Sequence, residues 1–302
     1  MTLGYLPRLI PISLASYFLA HVFIGALVWL AAGRAVRWAG RFDPRTAGRW
    51  LFAMRLAPAV GGLLAVVCLC LPSYIALEPS GVTESIGFGC LAAACGGALL
   101  WMCSLVRAVR AVARSARFVE SGHGPLLALS GILRPRLMMS RDVRCVLSRE
   151  ELAVALRHER AHAASRDNLK HFSMLAAPAV LPFGGASVSL ERGWQKYAEW
   201  AADDCAVAGD PRRPVALASA LVRAARHSCG MPPPSLVLPL SGDDQQLAAR
   251  VERLLSPARA VRPAHSSALP VAAALLAVGA LAAIFQPAVL IAVHRVLERL
   301  IE

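Results

Sequence analysis

Between Arg8 and Arg34 the chain runs from Leu9 to Gly33 without one formal charge. As a helix rising about 1.5 Å per residue, that run spans the roughly 30 Å hydrocarbon layer of a bilayer. Two further runs follow, Leu56 to Leu77 (closed by Glu78) and Ser85 to Val106. A last one, Ser266 to Val293, is interrupted near Pro270 and Pro287. Composition agrees: 57% of the 302 residues are hydrophobic and 17% charged, where about a quarter is usual for soluble domains. The expectation is an α-helical multi-pass membrane protein with about four transmembrane helices, at 9–33, 56–77, 85–106 and within 266–302. The first run is too long for a signal-peptide core and lacks a clear small-residue cleavage site, so it reads as a retained anchor.

The arginines orient these spans. Net charge is +13, and Lys170 and Lys196 are the only lysines. No basic stretch is interleaved with aromatics in a base-stacking pattern, so direct nucleic-acid binding is not expected. Instead Arg34, Arg37, Arg41, Arg45, Arg49 and Arg55 read as a short basic loop. Arg107, Arg110, Arg114 and Arg117 follow the third run, whereas Glu78 to Glu84 holds no arginine or lysine. By the positive-inside rule the arginine-rich ends face the cytoplasm of a bacterial inner membrane, with the N-terminus outside. Membrane lipids are then obligatory partners. Gly87, Gly89, Gly96 and Gly97 are small enough to let helices approach closely in lipid. His21, inside the first run, reads as an interhelical hydrogen-bonder. Five of the eight cysteines lie in apolar runs and the rest lack Cys-x-x-Cys spacing, which argues against a disulfide framework or a zinc ribbon.

Residues 107–265 make the only long polar region, expected to be an inserted, mainly helical cytoplasmic domain with a small β edge. Gly131 to Ser140 reads as a turn and a short extended segment that Pro135 confines to a sheet edge. Leu137, Met138, Met139 and Ser140 are candidates for pairing with a substrate strand. Ser148-Arg-Glu-Glu151 has capping-box spacing and should start a helix. That helix ends on His158-Glu159-Arg-Ala-His162. Two histidines four apart on a helix share one face, so both imidazoles reach one metal ion, and Glu159 can lie against its water as general base. A bare match of this length also arises by chance, which leaves two surface histidines as the plain alternative. A zinc peptidase needs a third ligand. Glu199 supplies a carboxylate, and Asp203, one turn on, can hold the free ring nitrogen of a ligating histidine. Asp167 is a second such partner. No residue stands out as an oxyanion stabiliser, and Tyr197 and His227 read more readily as structural. Phe172 to Leu190 is long enough to span, but Pro178, Pro182, Gly184 and Gly185 break it. A crossing there would also separate Glu199 from the histidines, so it reads as a re-entrant, interfacial or protein-buried hairpin.

Several ordered motifs resemble one family. Gly131-Ile-Leu-Arg-Pro-Arg-Leu, Leu147-Ser-Arg-Glu-Glu-Leu, His158-Glu-Arg-Ala-His162, Arg166-Asp167, Glu199-x-x-x-Asp203 and Pro214-Val-Ala-Leu-Ala-Ser-Ala-Leu-Val are similar to BlaR/MecR-type integral membrane metallopeptidases. The likeness implies a gluzincin-like fold, one Zn2+ per chain on His158, His162 and Glu199, and Glu159 as base. It implies cleavage of a cytoplasmic protein, such as a transcriptional repressor, on an outside signal. Antibiotic-sensing members carry a penicillin-binding sensor domain after the last span. No such domain follows here, so a signal is expected through the spans, the outer loops or a separate sensor protein. An HtpX-like quality-control protease and a metal-free sensor or scaffold are the competing expectations.

Overall fold

The computed structural model describes residues 2–3, 5–78, 84–120, 127–180, 185–227, 237–239, 244–256 and 286–301. The expected outer loop at 79–83 and most of the expected last span lie outside them. The first half holds β1 (Thr2–Leu3), α1 (Tyr5–Ala39), α2 (Pro44–Ala65), α3 (Leu71–Leu77), β2 (Glu84–Ser85) and α4 (Phe88–Glu120). A π-helical turn, Val66–Cys70, joins α2 to α3. Pro72 has no N–H for the Cys68 carbonyl, and the widened turn relieves that clash. Three helical stretches are long and apolar enough to cross a membrane: Pro7–Ala39, Pro44–Leu77 and Phe88–Arg117.

The basic segment 34–55 is not the loop its charge suggests. Helix α1 continues to Ala39 and α2 starts at Pro44, leaving only residues 40–43 as the connection. Asp43 caps α2 by accepting the Thr46 N–H at 3.0 Å, with Pro44 in the first turn. Arginine is a good helix former, and a 35-residue helix is roughly 52 Å long, enough for its charged end to extend past a hydrocarbon layer of about 30 Å. For the same reason α4 runs on through 106–107, the expected domain boundary, to Glu120. The spans touch closely at glycines. A Cβ on Gly97 would lie 2.6 Å from the Leu14 carbonyl oxygen, whereas Gly89 faces open space.

The second half holds β3 (Leu127–Ser130), β4 (Arg136–Met139), α5 (Val143–Val146), α6 (Arg149–Ser165), α7 (Asp167–Ala176), α8 (Ala186–Val207), α9 (Arg213–His227), β5 (Val237–Pro239), α10 (Asp244–Leu255) and α11 (Pro287–Ile301). Strands order β4-β3-β5, antiparallel throughout, with Leu129 opposite Leu137 on one side and Leu238 on the other. As Pro135 suggests, β4 is an edge. It stops at Met139, however. Ser140 belongs to the following turn, where its carbonyl accepts the Val143 N–H and its Oγ the Asp142 N–H, both at 3.3 Å. Gly131 opens the β3–β4 hairpin at φ +104°, a conformation that favours glycine.

In the ambiguous run 172–190 the described residues include the end of one helix and the start of another, and 181–184 lie outside them. Helix α7 ends at Ala176 and α8 starts at Ala186. Met174, Val180, Ala186 and Leu190 are buried with Ala32, Ala35, Ala39, Ala47 and Leu51 of α1 and α2. Among the described residues of this segment, Met174, Ala177 and Val180 are buried in the protein. Backbone carbonyls there need donors, and the three long apolar helices α1, α2 and α4 provide them. Arg55 donates to Glu191 (2.7 Å) and to the carbonyls of Met174 (2.7 Å) and Pro178 (3.1 Å). Arg107 donates to the Ala177 carbonyl at 3.1 Å, and His21 Nε2 lies 2.8 Å from that of Ala179. His21 thus bonds to this segment, besides the weaker contact with Tyr17 at 3.4 Å on its own helix. A second core, built from α5, α6, α8, α9, α10 and β3, centres on Val154, Ala155, Leu217 and Leu221.

Candidate metal centre

The centre is built from two packed helices, α6 and α8, and closed by a third, α10. Helix α6 starts as its spacing predicts. Ser148 Oγ accepts the Glu151 N–H at 3.2 Å, and Glu151 Oε2 accepts the Ser148 N–H at 2.8 Å. The apolar positions Val154 and Ala155 bury one face, which carries His158, Glu159 and His162 inward. The helix ends at Arg166, in the left-handed region at φ 55°. This tight turn puts Asp167 at the head of α7, back against the helix it has just left. Asn168 ties the same turn to the sheet, donating to the carbonyls of Leu129 (3.3 Å) and Gly131 (2.9 Å).

His158 Nε2 and His162 Nε2 are 3.1 Å apart. Glu199 reaches in from α8, with Oε2 3.5 Å from His158 Nε2 and Oε1 3.5 Å from His162 Nε2. Each outer ring nitrogen meets a carboxylate. His162 Nδ1 donates to Asp167 Oδ2 at 2.8 Å, while His158 Nδ1 lies 3.0 Å from Asp203 Oδ1, close but poorly aligned for a hydrogen bond. Lys170 holds the other Asp167 oxygen at 2.9 Å. With Nδ1 protonated toward its carboxylate, each Nε2 presents a lone pair, and the two lone pairs face each other and Glu199. That arrangement is repulsive unless a cation lies among them.

The donor set fits a divalent metal ion on three counts. Ligand atoms bonded to one tetrahedral zinc lie about 3.3–3.6 Å apart, close to the separations here. The three side chains form a compact group of potential ligands, all buried. Charge balance points the same way. Four buried carboxylates, Glu159, Asp167, Glu199 and Asp203, face two cations, Arg250 and Lys170. The excess of two negative charges equals the charge of one divalent ion.

Glu159 is 2% exposed, and neither of its carboxylate oxygens has a hydrogen-bond partner among the described residues. Such a group is costly to bury. Burial pushes its carboxyl up from the ordinary range, and His158, His162 and Arg250 only partly offset that. Burial would also raise Glu199, but Arg250 and then His162 overturn it and hold Glu199 well below the usual carboxylate range. Asp203 behaves alike: against the burial cost, Arg250 and His158 hold it down at about 2. Burial lowers both imidazoles, yet Asp203 and Glu199 raise His158, and Glu199 and Asp167 raise His162 further. Carboxylates arranged to hold a metal ion stabilise an imidazolium by the same field.

The structure thus brings together His158, Glu159, His162, Glu199, Asp203 and Asp167, all singled out from sequence. Tyr197, weighed there as an oxyanion group, packs into the core against α1 and α2 instead. The unexpected member is Arg250 of α10, 1% exposed. Its Nε and Nη2 grip Asp203 at 2.9 and 2.7 Å, and Nη1 pairs with Glu199 Oε2 at 2.8 Å. A signal for it exists in the sequence. Leu247, Val251 and Leu254 form the apolar stripe of α10, and Arg250 falls on that stripe, where a charge needs a buried partner. Compared with known proteins, the chain matches no family model, no curated protein and no solved structure. The resemblance to BlaR/MecR-type metallopeptidases therefore rests on the motifs themselves.

Proposed function

We propose that the chain is a membrane-embedded zinc-dependent endopeptidase of gluzincin-like fold that cleaves a cytoplasmic protein in signal transduction. The observation that carries this reading is the convergence of His158, His162 and Glu199 beside a buried, unpartnered Glu159. Zinc held by those three residues would supply Lewis acidity, lowering the pKa of its water toward about 7 and polarising a peptide carbonyl. Glu159 takes a proton from the attacking water and passes it to the leaving amine as the C–N bond breaks. One water is consumed, and an acid and an amine result. Asp203 and Asp167 orient the imidazoles. The free side of β4, where Leu137 and Met139 are exposed, suits an extended substrate added as a further strand.

Arginines at the end of α1, the start of α2 and the end of α4 support a cytoplasmic domain and an outside N-terminus. In this reading a fourth span lies between α10 and the chain's end, including α11. By the family resemblance, a transcriptional repressor is the first candidate substrate, with the signal arriving through the spans or a separate sensor protein.

Metal analysis paired with a cleavage assay on purified full-length chain tests the proposal. Near one zinc per chain is expected in both wild type and Glu159→Gln, with cleavage in wild type alone. Less than about half a zinc, unchanged by His158→Ala, sinks it. Proteomics of a Glu159→Gln strain then separates the uses. One accumulating cytoplasmic protein supports signalling, while many accumulating membrane proteins would favour an HtpX-like clearing role.

A further inference from the structure

Arg250 is the one cation in direct contact with the proposed ligand atoms among the described residues. Its Nη1 pairs with Glu199 Oε2 at 2.8 Å, and its Nη2 lies 3.5 Å from His158 Nε2. The forked grip on Asp203 fixes the guanidinium plane. Helix α10 is locked onto α8 by a second arginine one turn on. Arg253 pairs with Asp204 at 2.7 Å and stacks 4.9 Å from the Trp200 ring centre. The cation is therefore built into the site rather than passing over it.

Resting on the zinc reading above, we infer that Arg250 is a positioning residue that also weakens the metal's hold. By engaging Oε2 it turns Glu199 toward the metal through its other oxygen, which faces His162 Nε2 at 3.5 Å. By its charge, 3.5 Å from His158 Nε2 and paired with the outer oxygen of Glu199, it repels a divalent ion and withdraws electron density from the Glu199 carboxylate. The two effects oppose each other in binding, and the charge dominates. Glu199 is also held in place by the packing of α8 on α6, so its orientation does not rest on Arg250 alone. The repulsion has no such redundancy. The consequence is a site that holds zinc less tightly, and keeps it more electrophilic, than two histidines and a glutamate would alone.

The test is zinc affinity, measured by chelator competition on the full-length chain in detergent for wild type, Arg250→Gln and Arg250→Lys. The expected result is about tenfold tighter zinc binding in Arg250→Gln, and binding within threefold of wild type in Arg250→Lys, which keeps the charge. Arg250→Gln binding less than threefold tighter, or more weakly, overturns the inference. So does a shift beyond threefold in Arg250→Lys, which remains decisive if the glutamine variant does not fold. Because the titration reads metal and not cleavage, a chain that binds zinc in this pattern but cleaves nothing sinks the peptidase reading alone.

Discussion

Two buried polar clusters share α8, one through Glu191 near its start and the other through Glu199 and Asp203 further along, and they are built on opposite principles. In the first, Arg55 uses Nε, Nη1 and Nη2, on Glu191 and on the carbonyls of Met174 and Pro178. His21 engages both ring nitrogens. At the metal end, Glu159 leaves both oxygens unpartnered, and the paired carboxylates outnumber the cations. A buried polar group that is satisfied holds a fold together. One left unsatisfied costs stability and is kept for what it does. The difference assigns structure to the first cluster and chemistry to the second.

Breaking the chemical cluster without touching the fold should give the largest effect. Glu159→Gln is nearly isosteric and removes only the proton acceptor, so peptide cleavage should fall about 10²–10⁴-fold while the unfolding temperature holds or rises. A falling unfolding temperature with normal cleavage would invert the assignment. The converse variant is Arg55→Met in the structural cluster. It leaves the Met174 and Pro178 carbonyls and the Glu191 carboxylate short of a donor, at a cost of about 3 kcal/mol. Thermal unfolding in detergent should show it as a drop of several degrees with zinc content unchanged.

The two clusters also differ in how far sequence reveals them. His158, Glu159 and His162 are legible because an i, i+4 pair on a helix is a local geometry, and the capping box at Ser148 marks where that helix starts. Glu199 and Asp203 followed from the demand for a third ligand and an outer partner. Arg55 was hidden among arginines that read as a basic loop, because positive-inside charge and helix termini share one residue type. What separates Arg55 is burial against a segment 120 residues on, a tertiary fact. Arg250 lay in between, visible as a charge on an apolar stripe but without a partner until α10 docks on α8. Strands β3 and β5 are only four and three residues long, too short for an alternating pattern to show.

Asp203→Asn probes the metal cluster's outer layer. The amide still fits, but it no longer draws the His158 Nδ1 proton or matches Arg250's charge, so zinc affinity should fall about 10–100-fold. Chelator competition reads it directly. An unchanged affinity would mean that the poorly aligned 3.0 Å contact with His158 does not orient the ring.

The smallest expected effect belongs to Glu151, which shows a satisfied carboxylate inside helix α6 itself. Burial would raise its carboxyl, but Ser219, the Ser148 N–H and Arg223 together bring it below its ordinary value near 4.5. A carboxylate whose pKa is lower folded than unfolded stabilises fully above the unfolded value and loses that contribution as pH falls through the folded one. Glu151→Gln should therefore cost about 1 kcal/mol at pH 7, the usual worth of a helix cap. The gap between the variant and wild type should close as pH drops below about 4.5. Thermal unfolding across that range measures the gap. One that stays constant with pH would mean that Glu151 acts through its shape and not its charge, unlike its neighbour Glu159 two turns along the same helix.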